Sequence, residues 1–369
     1  MKRLIAIILT AFLLTACTAS KPPEATSSAS QYENTPNVTI TSEDNWTELK
    51  FFSLGTLVQM KIFDMDEKEA AHVLKSAASY IDQYESKYSV QREDSVLSQL
   101  NGSASNTALD ADEETIWLIH MAMEYAQLTD GYFDISVLPL VDLWGIGTSS
   151  PHVPTDQERE GALERIGYKN VDIDTEKKQI TFLKEDMGLD LGGIAKGYIG
   201  DVVRDLMEDY GVKSAFINLG GNIVVVGNKS NGDPWRIGVQ NPVELRGAYV
   251  GVLEILDESI VTSGGYERFF EKDGEAYHHI LNPYTGFPAE SDLSSVTIVS
   301  KSSTDADALS TSSFMLGLEK ATELVNNLDE VEAVFITTDK KIYVTKGLDQ
   351  RFQLSDDTFD WVNRPASEK

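Results

Sequence analysis

The sequence predicts an α+β domain, and three observations carry that prediction. Runs with two-residue apolar alternation crowd together between residues 214 and 300. Helical patterns stand in groups apart from that block instead of alternating with its strands, which argues against a βαβ repeat. No internal repeat divides the chain, so one domain is expected over about 46–365.

Taken in order, residues 51–63 (FFSLGTLVQMKIF) alternate well enough for a strand. Helices are expected over Asp66 to about Ser86 and Asp112 to about Leu128. Both begin with acidic residues, which suit the positive end of a helix, and Asp130-Gly131 ends the second. Thr155–Ile166 reads as a shorter helix, 171–174 and 179–183 as a hairpin, and about Ile194–Tyr210 as a helix stopped by Gly211. The β-rich runs are SAFINLG, GNIVVVG, WRIGVQ, YVGVLEI, ESIVTS, YHHIL and SSVTIVS. A helix pair over about 305–326 and strands near 332–337 and 341–345 complete the set.

The N-terminus reads as an address. Lys2 and Arg3 precede an apolar run from Leu4 to Ala16 that is too short to span a bilayer but suits the h-region of a signal peptide. The small residues before Cys17 resemble a bacterial lipobox, which makes 1–16 a lipoprotein signal and Cys17 the lipidated first residue of the mature chain. An ordinary secretory signal with a chance cysteine is the alternative. Cys17 is the only cysteine, so a disulfide framework and a cysteine-based metal site are both excluded. Residues 17–45 are rich in Ser, Thr, Ala and Pro and predict a flexible tether between membrane and domain. The expected location is therefore the extracytoplasmic face of the bacterial cell membrane. A formal net charge of −28 argues against nucleic-acid binding, because a phosphate backbone would be repelled. The same charge means that any phosphate-bearing ligand needs a cation or focused N–H donors.

Five segments carry residues that a packed core does not require. GYFDISVLPLVDLWGIG (131–147) is apolar and turn-rich and could wall a flat aromatic ligand, or form a core loop. In DLGGIAKGYIGD (190–201), two glycines end a strand and a lysine enters the first turn of a helix, a layout suited to an anion. INLGGNIVVVG (217–227) places paired glycines where a hairpin turn is expected. TSGGYERFFEKDGEAYHHILNPYTGFP (262–288) holds His278 and His279 on opposite faces of a strand, so at most one lines a given site. That one would suit general-base work. In KSSTDADALSTSSF (301–314), Asp307 and Thr311 lie four apart and share a helix face, an oxygen-rich pair of the type hard cations prefer; Asp305 faces elsewhere and suits a cap. Helix capping alone also accounts for this last segment.

Together LGT, GYFDISVLPLVDLWG, DLGGIAKGYIGD, NLGGN, TSGGYERF, HILNPYTG and DADALSTSSF, in this order over about 50–345, resemble the ApbE family of FAD:protein FMN transferases. The resemblance implies an α+β, T-fold-like domain with an FAD cleft, and Mg²⁺-dependent transfer of FMN from FAD to a threonine of an exported target. Such targets carry a Ser/Thr-rich flavinylation motif. Carried over by position, Asp307, Thr311 and the backbone carbonyl of Gly193 would hold the metal, with Ser310 at a position that is a ligand in some members. Leu54, Tyr88, Tyr132, Phe133, Asp134, Asp190, Lys196 and the backbone near Leu281 would contact FAD, and His279 matches the catalytic histidine. Two departures stand out: Leu54 occupies a position where Met is common, and Asn282 one where Asp is usual. Two other readings share these residues, an FAD pyrophosphatase releasing FMN and AMP, and a flavin-binding lipoprotein without catalysis.

Overall fold

A computed structural model describes residues 38–244 and 247–364. The signal segment 1–16, Cys17 and the tether as far as residue 37 lie outside the described residues. The tether's last part does not stay free: Thr39–Glu43 (β1) forms an edge strand on Trp46–Ser53 (β2), so the domain begins before residue 46. No described helix is long and apolar enough to cross a membrane.

The predicted 51–63 strand is instead the inner half of a hairpin, β2 with Thr56–Phe63 (β3), paired in register from Trp46↔Phe63 to Ser53↔Thr56. Its two-residue turn is Leu54-Gly55, with φ of 53° and 66°. Both values suit the turn type that matches strand twist, but the usual Asn-Gly or Asp-Gly signal is missing. These strands open a ten-stranded sheet. It continues through Ala215–Leu219 (β7), Asn222–Val226 (β8), Ser259–Gly264 (β11), Leu293–Ser300 (β14), Val331–Thr337 (β15), Lys341–Val344 (β16) and Asp360–Trp361 (β18). Its pairings are antiparallel except β16 with β18. Three smaller sheets complete the described strands. They join Leu109–Asp110 (β4) with Val171–Asp174 (β5) and Gln179–Phe182 (β6); Trp235–Gln240 (β9), Tyr249–Ile255 (β10) and Phe352–Leu354 (β17); and Phe269–Lys272 (β12) with Glu275–His278 (β13).

Helices cover the large sheet because their apolar faces have nowhere else to go. Glu67–Tyr88 (α1) is capped by Asp66, whose carboxylate accepts from the N–H groups of Lys68 and Glu69, and it buries Val73, Leu74, Ala77 and Ile81 at helical spacing. Glu113–Leu128 (α3), after the short Val96–Asn101 (α2), starts on Asp112 in the same way. Leu138–Trp144 (α4) is a helix where the sequence left a ligand wall or a core loop open. Pro139 sits in its first turn, where no N–H is needed, and Gly145 ends it in the left-handed region. Trp144 is fully buried and its Nε1 donates to Gly286 O at 2.8 Å, so it is core and not a ligand wall. Asp156–Leu163 (α5) begins with a Thr155/Glu158 capping box.

Two helices position the site. Ala195–Asp209 (α6) is preceded by an extended stretch, not the expected strand, and Asn101 pins that stretch by bonding both the N–H and the C=O of Leu189. Ser303–Asn326 (α7) is a helix pair, broken at Gly317 (φ 75°), after which Asp292 accepts from Leu318 N–H and caps the second half. The N-cap of α7 is Ser302, not Asp305; the Asp305 carboxylate turns to the Tyr125 hydroxyl instead. From α6, the buried Asp201 accepts from Ser303 N–H, Thr304 N–H and the Thr304 hydroxyl at 2.8, 2.8 and 2.6 Å, fixing where α7 starts.

Candidate active site

The crossing of α6 and α7 is the foundation of the site. A methyl group on Gly197 would lie 2.2 Å from Ser303 O and 2.7 Å from Asp307 Cβ, so only glycine lets the helices approach this closely. The approach lets the Gly197 N–H donate to Asp307 Oδ2 at 2.9 Å. The start of α6, which lacks a side-chain cap of its own, is therefore capped by Asp307 from α7 and is not wholly open to an anion as the sequence suggested. Asp307 is 3 % exposed. Its other oxygen, Oδ1, makes no hydrogen bond among the described residues, and Lys196 Nζ lies 3.6 Å from it, beyond hydrogen-bond length.

One turn on, Thr311 stands beside Gly193: a methyl on Gly193 would reach Thr311 Oγ1 at 3.7 Å and the Phe133 ring at 3.0 Å. Ser263, at the end of β11, bonds Ser310 Oγ at 2.8 Å and lies 3.4 Å from Thr311 Oγ1. Ser310 is fully buried and also donates to Asp307 O at 3.0 Å. One carboxylate, three hydroxyls and the Gly193 backbone thus meet in one place. This donor set fits a hard divalent ion in type, and the under-satisfied buried Oδ1 calls for a cation. No group of three or more His, Cys, Asp or Glu suited to a metal occurs among the described residues, so further oxygens from a ligand are needed to complete a shell.

The histidine pair divides as expected, although the strand ends at His278 and only an isolated Leu281–Pro288 bridge follows. His278 turns inward: its ring packs edge-on to Phe314 and its Nε2 lies 3.1 Å from Ala289 O. His279 has Nδ1 at 3.2 Å from Arg268 O, and its backbone N–H donates to the same carbonyl. A carbonyl oxygen only accepts, so Nδ1 carries the proton and Nε2 keeps a lone pair. Burial first, and then the Arg268 guanidinium, push the imidazole down to about 4, with His278 and Lys196 adding to the effect. It is a neutral base at physiological pH.

Around this centre the other candidates fall into two groups. Asp190 is near the rim; its Oδ1 accepts from Gly192 N–H at 2.6 Å, and its N–H donates to Ile135 O, tying two motifs together. Burial pushes its carboxyl up, against the pull of Gly192 N–H, Lys196 and Arg268. Lys196 also donates to Gly192 O at 3.1 Å. Tyr132 stacks edge-on to Tyr284 at 5.3 Å with Lys320 over its ring. Leu54 is half-buried in a backbone conformation that costs leucine about 1–2 kcal/mol, and Gly55 beside it abuts Arg268.

The second group is more structural than expected. Tyr88 is 6 % exposed and packs in the core with Tyr84 and Tyr198. The Asp134 carboxylate serves its own loop, accepting from Ser136 N–H, Ser136 Oγ and Tyr168 N–H. Phe133 is buried against Gly193 and Tyr125, and Leu281 is buried in the cluster around Trp144. Asn282 does what an aspartate would do in the turn: its side-chain oxygen accepts from Tyr284 N–H at 2.9 Å. Sequence reasoning missed Ser263 and Arg268, although both lie in a motif it singled out; only the long-range register of β11 and the hairpin β12–β13 brings them to the centre.

Residues 54–335 match the model of the ApbE family. An FAD:protein FMN transferase of Treponema pallidum is 34 % identical over 83 % of this chain and 88 % of its own. One of Klebsiella pneumoniae is 33 % identical, over 85 % and 96 %. Among solved structures, an ApbE protein of Thermotoga maritima superposes with a TM-score of 0.77 at 32 % identity, covering 83 % of this chain and 99 % of that one. The flavin transferase ApbE of Vibrio cholerae gives 0.74 at 29 %, over 83 % and 99 %.

Proposed function

The chain belongs to the ApbE family, and on that premise we propose that it acts as an FAD:protein FMN transferase. The observation that carries the reading is a neutral histidine whose Nε2 has no partner among the described residues, linked through the charge of Lys196 to a buried carboxylate whose second oxygen lacks a full partner. The first suits removal of a proton from an alcohol; the second suits a cation beside a pyrophosphate.

In the proposed reaction, FAD lies with its pyrophosphate beside Lys196 and the oxygens around Asp307, and the acceptor's threonine hydroxyl approaches His279. Mg²⁺, held by Asp307, Thr311 and the Gly193 carbonyl with Ser310 behind them, would neutralise the pyrophosphate and polarise its phosphorus. His279 Nε2 takes the hydroxyl proton while Arg268 O holds Nδ1–H and keeps the ring oriented. The threonine Oγ–P bond forms, the bond from that phosphorus to the bridging oxygen breaks, and AMP leaves with the bond's electrons. Tyr132, Leu54 and Lys196 line the approach, and catalysis is mainly positioning and charge stabilisation. The reading of Cys17 as a lipid anchor places the reaction, in this proposal, at the outer face of the cell membrane.

The test is incubation with FAD and Mg²⁺, with and without an acceptor protein bearing a Ser/Thr-rich motif, following AMP release and acceptor mass. Transfer predicts AMP and flavinylated acceptor in equal amounts, both abolished by a chelator. AMP release at full rate without acceptor would instead establish the pyrophosphatase reading, and no turnover in either arm would leave only flavin binding.

A further inference from the structure

The chain has 59 acidic and 31 basic residues, and most of its described arginines have acidic partners. Arg92, Arg159, Arg204, Arg236 and Arg351 all sit in ion pairs. Arg268, like Arg165 and Arg364, has none among the described residues, and of these three it is the one that stands beside His279. Its Nη2 is 3.7 Å from where a methyl on Gly55 would be, so the guanidinium rests against the Leu54-Gly55 turn. Its charge reaches both His279 and Asp190, as does that of Lys196, so the two cations flank one space. The same residue's carbonyl holds His279 through both its backbone N–H and Nδ1.

We propose that Arg268 is a further catalytic residue of the flavin transfer, its guanidinium donating to non-bridging oxygens of the pyrophosphate while its carbonyl orients the base. The inference rests on the transferase reading above. As the threonine oxygen bonds to phosphorus and the bridging oxygen departs with AMP, negative charge builds on those oxygens. A planar fork of N–H donors matches them better than an ammonium does. The acidic chain leaves the guanidinium for the substrate: a carboxylate pairing it internally would cancel the charge that the phosphates need. In its free state the group faces solvent, so substitution should leave folding intact.

The experiment compares Arg268→Gln and Arg268→Lys with the unaltered protein, using FAD, Mg²⁺ and a Ser/Thr-motif acceptor, and measuring kcat, the KM for FAD, FAD binding by fluorescence quenching, and the pH–rate profile. The glutamine variant is expected to lose roughly 10²-fold in kcat, the size seen when one charge-stabilising donor is removed, with FAD binding changed by much less. Lysine should recover part of the loss by restoring charge without the fork. The backbone carbonyl remains in every variant, but the acid limb of the profile should move up in the glutamine variant. Of the charged groups that push the His279 imidazole down, His278 and Lys196 then remain. An unchanged kcat in the glutamine variant, or a loss confined to FAD binding, would overturn the assignment. If the unaltered protein itself leaves the acceptor without flavin, it is the transferase reading that fails, and the two results are separable in one assay.

Discussion

Gly197→Ala probes the foundation of the site with the smallest possible change. The added methyl would meet Ser303 O at 2.2 Å, whereas ordinary contacts begin at 3.4 Å, so α6 and α7 must part by roughly 1.2 Å. The obstacle is backbone, so no rotamer change relieves it. Overpacking of this kind costs about 1–3 kcal/mol, against which the better helix propensity of alanine returns about 0.5–1 kcal/mol. A net loss of about 1–2 kcal/mol should lower Tm by a few degrees. The effect on rate should be larger than the effect on stability. Asp307 takes its place from the Gly197 N–H, and a displacement of about 1 Å in a catalytic group can cost about 10²-fold. The assay is differential scanning calorimetry beside FMN transfer under saturating FAD. Gly161→Ala is the control: it also lies within a helix, but its methyl would meet nothing within 4 Å, so it should keep full activity and gain up to about 1 kcal/mol. If Gly197→Ala melts and turns over like the unaltered protein, the helix crossing does not set the position of Asp307, and the account of the site's construction is wrong.

Asp307→Asn keeps an acceptor for Gly197 N–H but removes the charge, and should lower kcat at least about 10²-fold, about 2.7 kcal/mol, while leaving Tm nearly unchanged; titrating Mg²⁺ against rate checks it. Transfer should be level through neutral pH and fall on the acid side with a midpoint near 4, because His279 must be neutral to act and is held at about 4. Stability should fall as pH drops below 6.5, since the unfolded chain binds protons there that folded His278 and His279 refuse; urea melts at stepped pH measure this. Asp201→Ala removes the acceptor of the first N–H groups of α7 and the nearer ion-pair partner of Arg204, so it should cost about 1–3 kcal/mol in a thermal melt.

Much of this was legible in the sequence, for identifiable reasons. The long helices announced themselves through acidic starts and regular apolar spacing; helical periodicity put Asp307 and Thr311 on one face, while their role as a pair came from the family resemblance. The hairpin at Leu54-Gly55 was hidden because leucine occupies a position where asparagine or glycine is the usual mark. The helix at 138–144 was masked by Pro139, which reads as a breaker until it is seen in the first turn. Asp201 was not singled out because its work is done across 102 residues, on the N–H of Ser303. Arg268 was overlooked for the same reason: no local pattern distinguishes an arginine held over a distant turn from one in open solvent. Tyr88 and Asp134, which the family resemblance put in contact with FAD, also have work inside the protein, Tyr88 packing on Tyr84 and Asp134 bonding its own loop.

The claim on which the rest depends is that His279 acts as the base that joins FMN to an acceptor hydroxyl. Intact-protein mass spectrometry of an acceptor co-expressed with either the unaltered chain or His279→Ala tests it most directly. The account predicts one added FMN on the acceptor in the first case and unmodified acceptor in the second. A fully flavinylated acceptor alongside His279→Ala would contradict it.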